Sequence, residues 1–158
     1  MTTSVVRTHQ LSKRFRSGLL AVDSIDLDVH EGDLFGFLGP NGAGKTTTIR
    51  MLLALISPTS GSIDVLGHEV GLHRPHALEG VGTMVEGPAF YPYLSGERNL
   101  MIFDGAGRGG PRRTRRQRVR DVIDRVGLGD VGDRPVKAYS LGMRQRLGLA
   151  SALLRAPR

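Results

Sequence analysis

Two periodicities run along the 158-residue chain. Ile25, Leu27 and Val29 alternate with Asp26 and Asp28, which predicts a strand with one wet face. The run DLFGFL that follows lies between Gly32 and Gly39 and is almost continuously apolar, as expected of a strand buried on both faces of a parallel sheet. The period then changes. Ile49, Leu52, Leu53 and Ile56 recur at i, i+3, i+4, i+7, which predicts a helix ended by Ser57 and Pro58. Val119, Val122, Ile123 and Val126 repeat the same spacing, and Leu147, Ala150, Ser151 and Leu154 share one helical face further on. Strands followed by helices place the chain in the α/β class.

Composition adds limits rather than chemistry. A chain of this length is one domain or part of one. The 39% hydrophobic and 23% charged content is ordinary for a globular protein, and the 22 glycines are the one excess. The net charge is +7, yet without the six arginines between Arg112 and Arg120 it is only +1. That block runs straight into the helix of Val119 to Val126 and has no interleaved aromatics, so a solvated helix face is favoured over a nucleic-acid site. With no cysteine there is no disulfide and no thiolate metal site. The amino end lacks the apolar core of a secretory signal, and no run approaches the ~18 apolar residues of a membrane span. Any membrane role then has to come through a partner.

The most specific stretch is LGPNGAGKTTT, Leu38 to Thr48, in which Gly39, Gly44, Lys45 and Thr46 match G-x-x-x-x-G-K-[ST]. An expected strand before it and an expected helix after it give the order a phosphate cradle needs, because loop amides and the positive helix end both face the anion. Lys45 is expected to reach the β and γ phosphates and the Thr46 hydroxyl to take a position on magnesium. Gly39, Gly42 and Gly44 are spaced G-x-x-G-x-G, which argues against a dinucleotide turn.

Kinases, GTPases and transport ATPases all carry that loop, and the end of the chain narrows the choice. YSLGMRQRLGLA, from Tyr139, resembles the signature of ATP-binding cassette (ABC) ATPases. Ser140 and Gly142 keep two of its five core positions, Tyr139, Leu141 and Met143 replace the others, and Gln145 with Arg146 keeps the trailing pair. LSKRFRSGLLAVDSIDLDVHEGDLFGFLGPNGAGKTT is similar to the opening of that family's nucleotide-binding domain. The segment VGTMVEGPAFYPYLSGERNL falls at its Q-loop, with Glu86 where most members have glutamine, and resembles the bacitracin and lantibiotic exporter subgroup.

The resemblance implies a P-loop NTPase fold of the ABC type, with an antiparallel β subdomain and a helical subdomain. The expected division is residues 1–87 for the β subdomain and P-loop core, and 88–158 for the Q-loop exit, helical subdomain and signature helix. It implies that ATP is held by Phe15, stacked on adenine, by Val22 beside it, and by Gly39, Asn41, Gly42, Ala43, Gly44, Lys45, Thr46 and Thr47. Magnesium is expected on Thr46 and Glu86. A glutamate at that position adds negative charge near the γ phosphate, so affinity and metal dependence are expected to differ from members with glutamine. Ser140, Leu141, Gly142, Met143 and Gln145 are expected to face the ATP of a second nucleotide-binding domain, paired head to tail. A membrane permease is the implied partner, with the chain peripheral on the cytoplasmic face of the membrane and no nucleic acid bound.

In the family an Asp-Glu pair at the end of an apolar strand, a pairing loop and a histidine follow the signature helix, and none occurs in these 158 residues. The chain is therefore expected to be an amino-terminal fragment lacking the carboxy-terminal strands and the general base, and inactive alone. Two other functional classes fit the motifs: a soluble ABC-type ATPase of translation or DNA repair, and a non-catalytic product that occupies a partner.

Overall fold

A computed structural model describes residues 3–71, 73–85, 87, 89–106, 110–154 and 156–157. The chain divides into two compact units, Met1–Glu79 and Gly80–Arg158.

The first unit is, among the described residues, a four-stranded antiparallel sheet in the order β2-β1-β3-β4 with one α-helix and a 3-10 turn at Pro75–Leu78. Strand β1 (Ser4–Arg14) pairs antiparallel with β2 (Leu20–His30) on one side and β3 (Ser60–Val65) on the other, and β4 (His68–Glu69) closes the edge. The expected alternation is present in β2, where Ile25, Leu27 and Val29 are half-buried and Asp26 and Asp28 are exposed. Leu11, Val22, Ile63 and Val65 are buried, as are Thr48 and Met51 of helix α1 (Lys45–Leu52).

Two expectations need correction in this unit. DLFGFL is not a strand: Leu34 and Leu38 are 103% and 91% exposed. A strand persists only where a neighbour takes its amides and carbonyls, and no described strand pairs with this segment. Helix α1 is also shorter than its pattern, ending at Leu52 rather than running to Ser57. Ala54 takes a left-handed conformation (φ 54°), and the Leu55 amide reaches back to the Arg50 carbonyl, which unwinds the last expected turn. The face of α1 that is buried carries Thr48 and Met51, whereas Ile49 is 39% exposed.

The second unit is helical: α2 (Gly96–Ala106), α3 (Arg115–Arg125) and α4 (Leu141–Leu153). Its core joins Leu100 of α2, Val119, Val122 and Ile123 of α3, and Leu147 and Ala150 of α4, all buried. Val126 and Leu154, just past the ends of α3 and α4, belong to the same core, so both stripes read from the sequence point inward. Ser151 is only partly buried. Among the described residues no helix is long and apolar enough to cross a membrane.

Candidate functional site

The glycine loop enters α1 at Lys45 with Gly42 and Gly44 in left-handed conformations, φ 86° and 84°. A Cβ on Gly44 would strike the Ala21 carbonyl oxygen and lie 3.2 Å from Val22 Cγ2, so only glycine lets the loop lie against β2. Nothing lies within 4 Å of the corresponding point at Gly42, which faces open space. Helix α1 has no side-chain cap and no acidic residue in its first turn. Its first amides and positive dipole end therefore stand available to an anion.

Lys45 folds back over the loop, its Nζ donating to the carbonyl oxygens of Gly39 (2.5 Å) and Pro40 (2.7 Å). An ammonium has three donors, so one remains for a phosphate oxygen. Thr48 Oγ1 bonds the Gly44 carbonyl at 3.1 Å and is buried, which leaves Thr46 and Thr47 as the hydroxyls facing outward.

A cleft runs from this loop to the hairpin that joins β1 and β2. Phe15 and Leu20 line one wall, and Asn41, Lys45, Thr46 and Thr47 line the other, with Gly42, Ala43 and Gly44 between them. Phe15 begins the hairpin turn, where its amide donates to the Leu19 carbonyl at 2.9 Å and its carbonyl accepts from Gly18 at 2.9 Å. Phe15 as a residue is 39% exposed. Val22 is not in the wall: it is buried under Gly44 and acts as the floor of the loop. Gly39 contributes its carbonyl to Lys45. Amides, one amine and two hydroxyls around an apolar platform suit a nucleoside triphosphate with a divalent cation. Glu86, expected on that cation, lies outside the described residues. Among the described residues no cluster of histidines and carboxylates could hold a metal by itself.

In the second unit the signature segment starts α4. Ser140 is the helix cap, its Oγ accepting from the Met143 amide at 3.2 Å. Tyr139 is buried just before it and donates its hydroxyl to the Val131 carbonyl at 2.7 Å. Burial, with some help from Asp133, raises the phenol's pKa above its ordinary value and keeps it a donor. Leu141 is 66% exposed, Gly142 and Gln145 are exposed, and Met143 is partly buried against the core. Arg146 is structural: its NH1 donates to the Gly127 carbonyl at 2.9 Å, past the end of α3.

Several positioning residues escaped the sequence. Buried Asn99 clamps the segment after the Q-loop position, accepting from the Tyr91 amide at 2.8 Å and donating to the Tyr91 and Ser95 carbonyls at 3.0 Å each. Asp104, fully buried, accepts from Arg115 Nε at 2.8 Å, Arg118 Nε at 3.0 Å and Arg118 NH2 at 2.8 Å. Two of the six clustered arginines are thus committed to the protein's own interior. A polar residue opening an apolar run, as Asn99 does before Leu100, Met101, Ile102 and Phe103, was the available signal.

A family profile described as ABC transporter matches residues 22–158. The bacitracin transport ATP-binding protein BcrA of Bacillus licheniformis is 42% identical over 158 residues, covering 98% of this chain and 49% of BcrA. The ABC transporter ATP-binding protein YdbJ of Bacillus subtilis is 40% identical, over 100% of this chain and 50% of its own. The daunorubicin/doxorubicin resistance ATP-binding protein DrrA of Streptomyces peucetius is 39% identical, over 98% and 46%. The chain thus spans about half the length of these relatives. In fold it is similar to cbiO1 of Clostridium perfringens, part of the ABC transporter complex cbiONQ, with a TM-score of 0.84 at 23% identity over 98% of this chain and 62% of the other.

Proposed function

The chain belongs to the ABC transporter family, and from that premise we propose that the intact protein is the ATP-binding subunit of an exporter, coupling ATP binding and hydrolysis to translocation by a separate membrane permease. The observation that carries this is the cleft that joins Phe15 to the glycine loop, Lys45 and Thr46. Export is favoured by the relatives named for bacitracin transport and for daunorubicin/doxorubicin resistance.

In this reading the adenine stacks on Phe15, and the phosphates lie over the amides of residues 41–47 at the start of α1. Lys45 keeps two bonds to the loop and turns its third donor to the β and γ oxygens. Thr46 would hold magnesium, with Glu86 the acidic group that the resemblance assigns to it, and the ion would supply positive charge to the phosphates. Ser140, Leu141, Gly142, Met143 and Gln145 present the amides and hydroxyl at the start of α4 to the ATP of a second copy, paired head to tail. Leu141 and Gly142, both exposed, leave that helix end open to such a ligand. Association with the membrane then runs through the permease, on its cytoplasmic side.

Two substitutions in the intact protein test this. Lys45→Ala removes the phosphate-facing amine and is expected to weaken ATP binding at least about tenfold, the scale of a lost charge-assisted bond. Unchanged affinity in a titration would remove the cleft as the nucleotide site. Glu86→Gln is expected to leave ATP binding nearly intact and to alter turnover or its magnesium dependence. Identical turnover at every magnesium concentration would take Glu86 out of the metal site.

A further inference from the structure

Over the ring of Phe15 stands a residue to which neither the motifs nor the cleft assigns a role. Lys13, half-buried near the end of β1, places its Nζ over the Phe15 ring at 5.5 Å from the centroid. The same Nζ donates to the Ser57 carbonyl at 2.5 Å. Ser57 lies in the segment that follows α1, five residues beyond Leu52, and the other end of that helix carries the glycine loop. Neighbouring bonds reinforce the connection: the Thr59 amide donates to the Ser12 carbonyl at 2.9 Å, and the Arg14 amide donates to Thr59 Oγ1 at 2.9 Å.

We infer that Lys13 is a positioning residue for the nucleobase, setting the distance between the aromatic platform and the phosphate cradle by tying Phe15 to the segment that follows α1. A cation occupies one face of an aromatic ring, so a planar base stacks on the other. A ring left without that support can rotate out of the stacking plane, because a phenylalanine near a hairpin turn is held by few neighbours. Lys13 bonds the Ser57 carbonyl and faces the Phe15 ring, whereas Lys45 bonds the Gly39 and Pro40 carbonyls. Loss of Lys13 should therefore be felt by the base and not by the phosphates.

The inference rests on the reading of Phe15 as the base platform, and the test separates the two. Binding of magnesium ATP and of magnesium tripolyphosphate, which has no base, is titrated on the intact protein as wild type, Lys13→Ala, Lys13→Arg and Phe15→Ala. Expected is a fall in ATP affinity of about two- to fivefold for Lys13→Ala, the scale of one partly exposed cation–π contact. Tripolyphosphate affinity should stay unchanged, and Lys13→Arg should recover ATP binding, since a guanidinium can reach both ring and carbonyl. An equal loss of both ligands in Lys13→Ala would make the residue merely structural and overturn the inference. So would no loss of ATP in Lys13→Ala while Phe15→Ala still binds ATP selectively worse. If Phe15→Ala shows no selective loss of ATP, the stacking platform itself is wrong and the inference falls with it.

Discussion

Removal of the Asp104 carboxylate should damage the helical unit more than any other single charge change in it. The side chain is 0% exposed, and Arg115 and Arg118 keep 27% and 20% of theirs. Three charge-assisted bonds of 2.8 to 3.0 Å converge on its two oxygens, joining α2 to α3. Breaking a buried ion pair by deleting one partner costs about 3–5 kcal/mol, because the other charge is left uncompensated. Both guanidiniums reach some water and can recover part of their hydration, so about 3 kcal/mol is expected for Asp104→Ala. Asp104→Asn keeps the shape and one acceptor and should lose about half of that, ~1.5 kcal/mol, on the scale of hydrogen bonds to charged groups. Glu97→Gln is the control: its contact with Arg120 is 3.9 Å long, with Arg120 mostly exposed and Glu97 one-third exposed, and is worth less than ~1 kcal/mol. Urea unfolding of the intact protein, followed by far-UV circular dichroism, reads all three. The pH dependence has a definite sign. Burial pushes the Asp104 carboxyl up, but hydrogen bonds from Arg118 and Arg115, with their charges, outweigh it and hold its pKa below the ordinary value. Its stabilisation is thus complete above the unfolded pKa of about 3.9 and is lost as pH falls through the lower folded value. The gap between wild type and Asp104→Asn should close on acidification below pH ~4. Equal midpoints for Asp104→Asn and Glu97→Gln at neutral pH would refute the reasoning.

Gly44→Ala and Gly42→Ala form a matched pair, since both positions are left-handed. Each pays roughly 1–2 kcal/mol of backbone strain, but only at Gly44 does the new methyl also meet the Ala21 carbonyl. ATP affinity should therefore fall much further for Gly44→Ala, and equal losses would mean that contact with β2 does not shape the loop. Ser140→Ala removes the cap of α4 and should cost about 1 kcal/mol of stability, most of which Ser140→Asp restores. Failure of Ser140→Asp to restore stability would show that the serine is not held for capping.

The glycine loop was legible in the sequence because its residues are contiguous: positions 39–47 carry both the glycines and the donors. The apolar faces of α3 and α4 were legible for a similar reason, since helical periodicity is a property of residues three and four apart. The same logic overreached at DLFGFL and at the end of α1. An apolar run shows that a segment can be buried, but burial needs a covering partner, and backbone strain at Ala54 decides where a helix stops. What no local pattern contains is contact between distant segments. Lys13 meets the Ser57 carbonyl across 44 positions, and Asp104 meets Arg118 across 14. The arginine block illustrates the difference. By composition it is a charged surface, and only the packing of α2 on α3 turned Arg115 and Arg118 inward, where a buried carboxylate could not stand without them. Residue order determined which glycines and donors the loop carries, whereas the tertiary fold decided which side chains aim and support them, because distance in space is set by the whole chain.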